Sequence, residues 1–330
     1  MNYRKFGNTD LTVSEIGFGS WAIGGDAKVG NIPIGWGPAD DEVSANAIHA
    51  ALDAGINFFD TADFYGLGHS EMLLGKILKN NNQVIIATKV GHRNINEQIV
   101  LDYSEKYILQ ACENSLKRLQ CEIIDYYQLH SARVSHLQNG ECIAAMEKLK
   151  VQGKIRYWGL SLNTFNPVAE AEFLMERRLG DGFQLVFNII NQRALPVLKN
   201  AGSKGYGIIA RMPLQFGLLT GKFNAKSKFS ETDHRHSRLT PDILKQSIKL
   251  LESKVWPLAE SVHMDQTSFA LSFILSLKEI STVITGIRTA DHVLQNTNGI
   301  KKLSDDVVNF LFSLSDADLK VLMEAIETRG

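Results

Sequence analysis

The chain is poor in cysteine, in excess charge and in long apolar runs, and each shortage excludes something. Its three cysteines, Cys112, Cys121 and Cys142, are odd in number among 330 residues. They sit in or beside segments with helical patterning, so a disulfide framework is not expected and a reducing cytoplasm fits better. Cys112 and Cys121 are too far apart for a CxxC redox pair, and no neighbouring ligands make them a zinc site. Lys and Arg total 35 against 36 Asp and Glu, for a net charge of -1. That balance offers no general attraction for nucleic acid or an anionic membrane. The opening MNYRKFGNTDLTVSEIG has no apolar signal region, and no later run approaches the roughly 20 apolar residues of a membrane span.

What the chain does contain is a repeated strand–helix unit. The first fifteen residues read as a hairpin turning at GNTD, and SEIGFGS supplies a first core strand. Residues 21–40 read as a Gly- and Pro-rich loop, and DEVSANAIHAALDAG as a helix ended by Gly55. Strands INFFD, QVIIATK, EIIDYYQLH, IRYWGLS, FQLVFNII and GYGIIAR then alternate with helical segments, Pro167 opening one of them. STVITG is the eighth strand, before helix DHVLQNTNGI. Eight strands with helices between them predict one (β/α)8 TIM barrel, a single domain over 1–330, with an N-terminal β-hairpin. A long flexible insertion at 213–241 is expected over the mouth, and the C-terminal stretch is expected to end in helix. The rival, an open nucleotide-binding sheet, rests on GFGSWA at 17–22, which lacks the helix that such a fingerprint requires.

Several of these apolar runs stop at a polar residue: Asp60, Lys89, His130 and Ser161, with Tyr65 just past Asp60. A parallel barrel puts all strand ends on one face, so these residues can meet over one pocket. A tyrosine titrates near pH ~10 and is a poor acid at neutrality. A neighbouring ammonium favours its phenolate, and a carboxylate holds that ammonium in place. Tyr65, Lys89 and Asp60 therefore suit proton donation to a carbonyl oxygen, with His130 orienting that oxygen. Taken singly, each has a plain structural explanation: a turn cap, a packed aromatic, a solvated lysine, a core histidine. Trp21, Trp36 and Phe64 are candidates for a substrate pocket, as is Phe18, with core packing as the alternative. Asp233, His234, Arg235 and His236 form a loop cluster without further ligands, so a metal is not expected there.

Through GINFFDTADFYGLGHSE, VIIATK, YYQLH, KIRYWGLS, GIIARMPLQFGLLTGKF and STVITGIRTADHVLQN, the chain resembles the aldo-keto reductases over essentially its full length. The resemblance implies a nicotinamide-dependent, metal-free carbonyl reduction or alcohol oxidation. It implies Asp60, Tyr65, Lys89 and His130 as the catalytic tetrad, with Tyr65 the proton donor. It places Ser161, Asn163 and Gln184 near the nicotinamide carboxamide, although the family's Ser-Asn run is here interrupted by Leu162. At Arg211 the family commonly has an aromatic that stacks on the ring; an arginine there could stack, bind an anion or form a barrel-end salt bridge. Leu214, Gly217, Leu219 and Lys222 belong to the loop that covers the pyrophosphate. Gly286, Arg288, Thr289, His292, Gln295 and Asn296 lie at the eighth strand end and the next helix, where an adenosine 2′-phosphate is expected. Arg288 is the chief candidate for that phosphate. The implied cofactor is NADP(H), with NAD(H) also compatible, and the partner is a small carbonyl or alcohol, including sugar-derived ones. A monomer is expected, with a homo-oligomer as the alternative. Two further readings stand beside this one: a Schiff-base lyase or aldolase using Lys89, and a cofactor-binding interaction subunit with little turnover.

Overall fold

The computed structural model describes residues 1–330 except 231, 232, 234, 316 and 330. Eight strands close into a barrel: β1 (Ile16–Gly19), β2 (Phe58–Asp60), β3 (Ile85–Val90), β4 (Ile124–His130), β5 (Ile155–Ser161), β6 (Gly182–Val186), β7 (Gly207–Arg211) and β8 (Thr282–Gly286). Every neighbouring pair is parallel and the order round the barrel is the order in sequence. Closure comes from β8 against β1, in register from Val283 and Ile16 to Gly286 and Gly19. The expected (β/α)8 barrel is the fold.

The helices begin where short polar side chains can satisfy first-turn amides. Asp40 accepts from the Val43 amide at 2.9 Å to start Asp41–Asp53. Ser104 does the same for Glu105–Leu119, and Thr289 for Ala290–Thr297. Gly55, at φ +82°, reverses the chain after the first of them.

The other end of the barrel is stoppered. The N-terminal hairpin pairs Tyr3–Lys5 with Thr12–Ser14 and delivers Phe6, Leu11 and Val13 into a cluster with Phe58, Ala87, Tyr126 and Ile209. Phe6 is fully buried and meets the Tyr126 ring edge-on at 4.9 Å. Room for it comes from glycines: a Cβ on Gly207 would lie 2.5 Å from the Phe6 ring, and one on Gly182 2.8 Å. Only the opposite, C-terminal face is left open to chemistry.

Several segments differ from or add to the expectation. Residues 92–101, unassigned from sequence, form a two-stranded hairpin (His92–Ile95 with Gln98–Leu101) at the mouth. Its side chains are mostly exposed or half-buried, so no apolar alternation announces it. The 21–40 loop carries one 3-10 turn, Ser20–Ile23, and a small ribbon of Lys28–Val29 with Ile32–Pro33. The 213–241 insertion contains a kinked turn at Gln215–Thr220 and a short helix at Arg235–Arg238, with Phe223 and Phe229 edge-on at 5.2 Å. The C-terminal stretch ends in helix as expected, Asp318–Glu327, with a second helix before it, Asp305–Ser313. No helix among the described residues is long and apolar enough to cross a membrane. The three cysteines are free thiols; burial pushes Cys112 up to about 12 and Cys121 and Cys142 up to about 11, which makes them poor nucleophiles.

Candidate active site

Asp60, Lys89 and His130 stand at or one residue from the ends of β2, β3 and β4, and Tyr65 opens the turn that follows β2. That turn is held by backbone contact. Gly66 has φ +61°, and a Cβ there would lie 2.1 Å from the Gly24 carbonyl oxygen, so only glycine lets the two loops close. The Tyr65 ring is then stacked on Trp21 at 6.3 Å and meets the His130 ring edge-on at 6.0 Å.

The four side chains form one connected group around a buried ammonium. Lys89 Nζ donates to Asp60 Oδ1 at 2.5 Å, to the Thr61 carbonyl at 2.7 Å and to Tyr65 Oη at 3.3 Å. Burial alone would push the Lys89 pKa down, but Asp60 and the Tyr65 oxygen outweigh it and hold the ammonium above its ordinary 10.5. The second oxygen of Asp60 accepts from Gln184 Nε2 at 2.7 Å and Gln128 Nε2 at 3.1 Å. Three donors thus fix the carboxylate that fixes the lysine that touches the tyrosine. Burial first, then His92, Lys89 and Arg211, drive the His130 pKa well below 6.5, so its imidazole is neutral. A neutral imidazole and a phenol beside a cation can donate two hydrogen bonds to one carbonyl oxygen.

Around the tetrad the expected positions divide. Ser161 ends β5 opposite His130, and both it and Gln184 are almost fully buried. The Gln184 amide is engaged by Asp60, which makes it a support for the tetrad in this structure. Asn163 Oδ1 accepts from the Phe165 and Asn166 amides at 3.0 and 2.9 Å and so caps its own loop. Arg211 makes no salt bridge among the described residues. It donates to the Leu162 carbonyl and to Thr164 Oγ1, both at 3.1 Å, and its buried Nε has no partner. Burial lowers its pKa from 12.5. A cavity of about 120 Å³ lies beside this arginine's partner Thr164, lined also by Met212, Gln215, Phe216 and Arg238 rather than by the tetrad.

Trp21 and Trp36 meet edge-on at 5.4 Å on one flank of Tyr65, with Arg235 over the Trp36 ring at 5.3 Å. Phe64 lies at 5.4 Å from the His92 ring. Phe18 is instead core, fully buried against Phe59. His92 was not foreseen; its only sequence signal is its place three residues past Lys89.

The fit of a dinucleotide can be judged at the far end of the mouth. Lys222 Nζ donates to Gln295 Oε1 at 2.9 Å, and the Arg288 amide donates to His292 Nδ1 at 3.3 Å. Burial, then Lys222 and Arg288, lower the His292 pKa, so two cations crowd one neutral imidazole at the start of a helix. That donor set suits a phosphate. Leu219 and Asn296 are buried beside it, Leu214 and Gly217 half-buried, and Gly286 is open. The Arg288 guanidinium itself is turned onto the Trp36 and Pro38 carbonyls. Among the described residues no group of His, Cys, Asp or Glu is placed to hold a metal ion; His234 lies outside them.

The His92 imidazole titrates near 4 because of burial, against 6.5 in an unfolded chain. Between those values the unfolded state binds more protons, so this residue contributes stability that is complete above pH 6.5 and is lost as pH falls toward 4. The drop in melting temperature between pH 7 and pH 4.5 is expected to be smaller in His92→Phe than in the wild type, by differential scanning calorimetry.

A closed parallel barrel with a tyrosine, a carboxylate-held lysine and a neutral histidine at its C-terminal mouth defines the class of NAD(P)H-dependent oxidoreductases that act on carbonyls. The model of the aldo/keto reductase family matches residues 15–316, and the chain belongs to that family. It is similar to the holo form of the aldo-keto reductase AKR11C1 from Bacillus halodurans, at 28% identity and TM-score 0.78, over 96% of both chains. It is 28% identical to the NADP(+) aldo-keto reductase yakc of Schizosaccharomyces pombe, over 98% of this chain and 91% of that one. It is 27% identical to the NADH-specific methylglyoxal reductase of Escherichia coli, over 97% of each.

Proposed function

We propose that the protein reduces an aldehyde, a ketone or a sugar-derived carbonyl to the alcohol, reversibly and without metal, with Tyr65 as the proton donor. The observation that carries this reading is the buried Lys89 ammonium bonded at once to Asp60 and to Tyr65. Bound nicotinamide cofactor would supply the hydride. Tyr65 Oη gives its proton to the carbonyl oxygen, and the adjacent ammonium stabilises the phenolate left behind. Asp60, fixed by Gln128 and Gln184, keeps that ammonium charged and aimed. His130 donates to the same oxygen and sets the orientation of the carbonyl. Ser161, Asn163 and Arg211 are the residues for the nicotinamide end; Leu214, Gly217, Leu219 and Lys222 for the pyrophosphate; Gly286, Arg288, Thr289, His292, Gln295 and Asn296 for the adenosine end. The raised Lys89 pKa speaks against the Schiff-base alternative, which needs a neutral amine.

The preferred cofactor in this reading is NADPH, because Arg288, just before the helix Ala290–Thr297, adds a positive charge where a 2′-phosphate would lie. Side-by-side fluorescence titration should give tighter NADPH than NADH binding. Arg288→Ala should weaken NADPH about tenfold or more, in line with a lost charge-assisted bond, and NADH much less. Equal wild-type affinities would remove the preference. We also take the chain as a single domain, working as a monomer or simple homo-oligomer in the reducing cytoplasm that its three free thiols suit.

A further inference from the structure

The mouth contains two histidines where the proposed chemistry uses one. His92 and His130 lie edge-to-face with ring centroids 4.4 Å apart, and His130 in turn meets Tyr65 at 6.0 Å. The pair is clamped by one segment. Tyr103 Oη donates to the His130 carbonyl at 2.5 Å, and Tyr107 Oη donates to the His92 carbonyl at 3.3 Å. Tyr103 lies just before the helix Glu105–Leu119 and Tyr107 in its first turn. Arg93 is held as well, by Asp102 at 2.5 Å and by the Tyr107 ring at 4.3 Å, so the strand bearing His92 is fixed on both sides of the ring.

His92 is half-buried, and its Nδ1 is buried without a hydrogen-bond partner, as is Nδ1 of His130. An orphaned lone pair is tolerated better than an orphaned N–H, so both rings carry their proton on Nε2. Pure packing would be served better by a phenylalanine or leucine, which leaves no nitrogen unpaired. Two neutral N–H donors on adjacent rings match two oxygens on adjacent carbons.

We infer that His92 is a specificity-determining residue whose imidazole binds a second oxygen, on the carbon next to the carbonyl that His130 orients. The substrate class is then α-hydroxy- or α-oxo-carbonyl compounds rather than simple alkyl aldehydes. This rests on the carbonyl-reductase reading and deepens it. The hydroxyl beside the carbonyl anchors the substrate at the 92–101 hairpin, and the reacting carbon is thereby turned toward Tyr65.

The test uses propanal and 2-hydroxypropanal, which differ by one hydroxyl, on the cofactor-loaded protein. His92→Phe is expected to lower kcat/KM for 2-hydroxypropanal about fivefold to tenfold, the loss of one neutral hydrogen bond, mainly through KM. Propanal should change less than twofold. His92→Gln, which keeps an N–H donor, should recover most of the loss, and both variants are checked for an unchanged melting profile at pH 7.5. Equal losses on the two substrates, or no loss on either, would overturn the inference. Affinity for the same two aldehydes is measured in parallel by calorimetric titration. If the wild type turned over neither aldehyde, the reductase reading would fall. The hydroxyl-dependent affinity difference and its loss in His92→Phe would still decide the role of His92.

Discussion

Tyr65→Phe should leave cofactor binding within about twofold and slow hydride transfer to a bound carbonyl by about 10²- to 10⁴-fold, the range of a positioned general acid. The substitution removes one oxygen and keeps the ring on Trp21 and beside His130, so the pocket is preserved. Single-turnover stopped-flow at saturating carbonyl isolates the chemical step from product release. An unchanged transfer rate would remove Tyr65 from the role. A retained rate accompanied by weaker carbonyl binding would make it a binding residue instead.

Asp60→Ala should be the most destabilising single change at the mouth, by about 3–5 kcal/mol, because it strands a buried ammonium. Lys89 would then keep only the Thr61 carbonyl and the Tyr65 hydroxyl as partners, and Gln128 and Gln184 would lose their shared acceptor. Lys89→Met leaves the opposite charge, but two amide donors still face it, so its loss should be smaller. Denaturant unfolding of the wild type, both single variants and the double variant Asp60→Ala/Lys89→Met tests this as a cycle. The double variant should be more stable than the sum of the two losses predicts. Additive losses would mean that the ion pair contributes nothing beyond its separate halves.

The strand–helix alternation was legible because the barrel strands are continuous apolar runs, as buried parallel strands must be. The tetrad was legible for the complementary reason: a single polar residue closing such a run has few neighbours to be confused with. What could not be read was the direction of long polar side chains. Gln184 is in the expected strand, yet whether its amide faces the mouth or Asp60 depends on a residue 124 positions away. Arg288 is likewise in its expected place with its guanidinium on the 36–38 loop. The hairpin at 92–101 escaped because two exposed strands at a rim obey neither helical nor alternating periodicity. His92 went with it.

The stopper at the base of the barrel has a consequence for biosynthesis. Phe6 leaves the ribosome well before the glycines that make room for it, Gly182 and Gly207, which follow some 180 to 200 residues later. The edge of β1 waits longer still, since its partner β8 lies at residues 282–286. Until those segments emerge the nascent chain therefore carries first an unburied aromatic and then an open strand edge, both of which invite wrong partners. Arrested chains ending between residues 211 and 280 should be the ones most dependent on chaperones, and emergence of β8 should be the moment at which the barrel becomes resistant to protease.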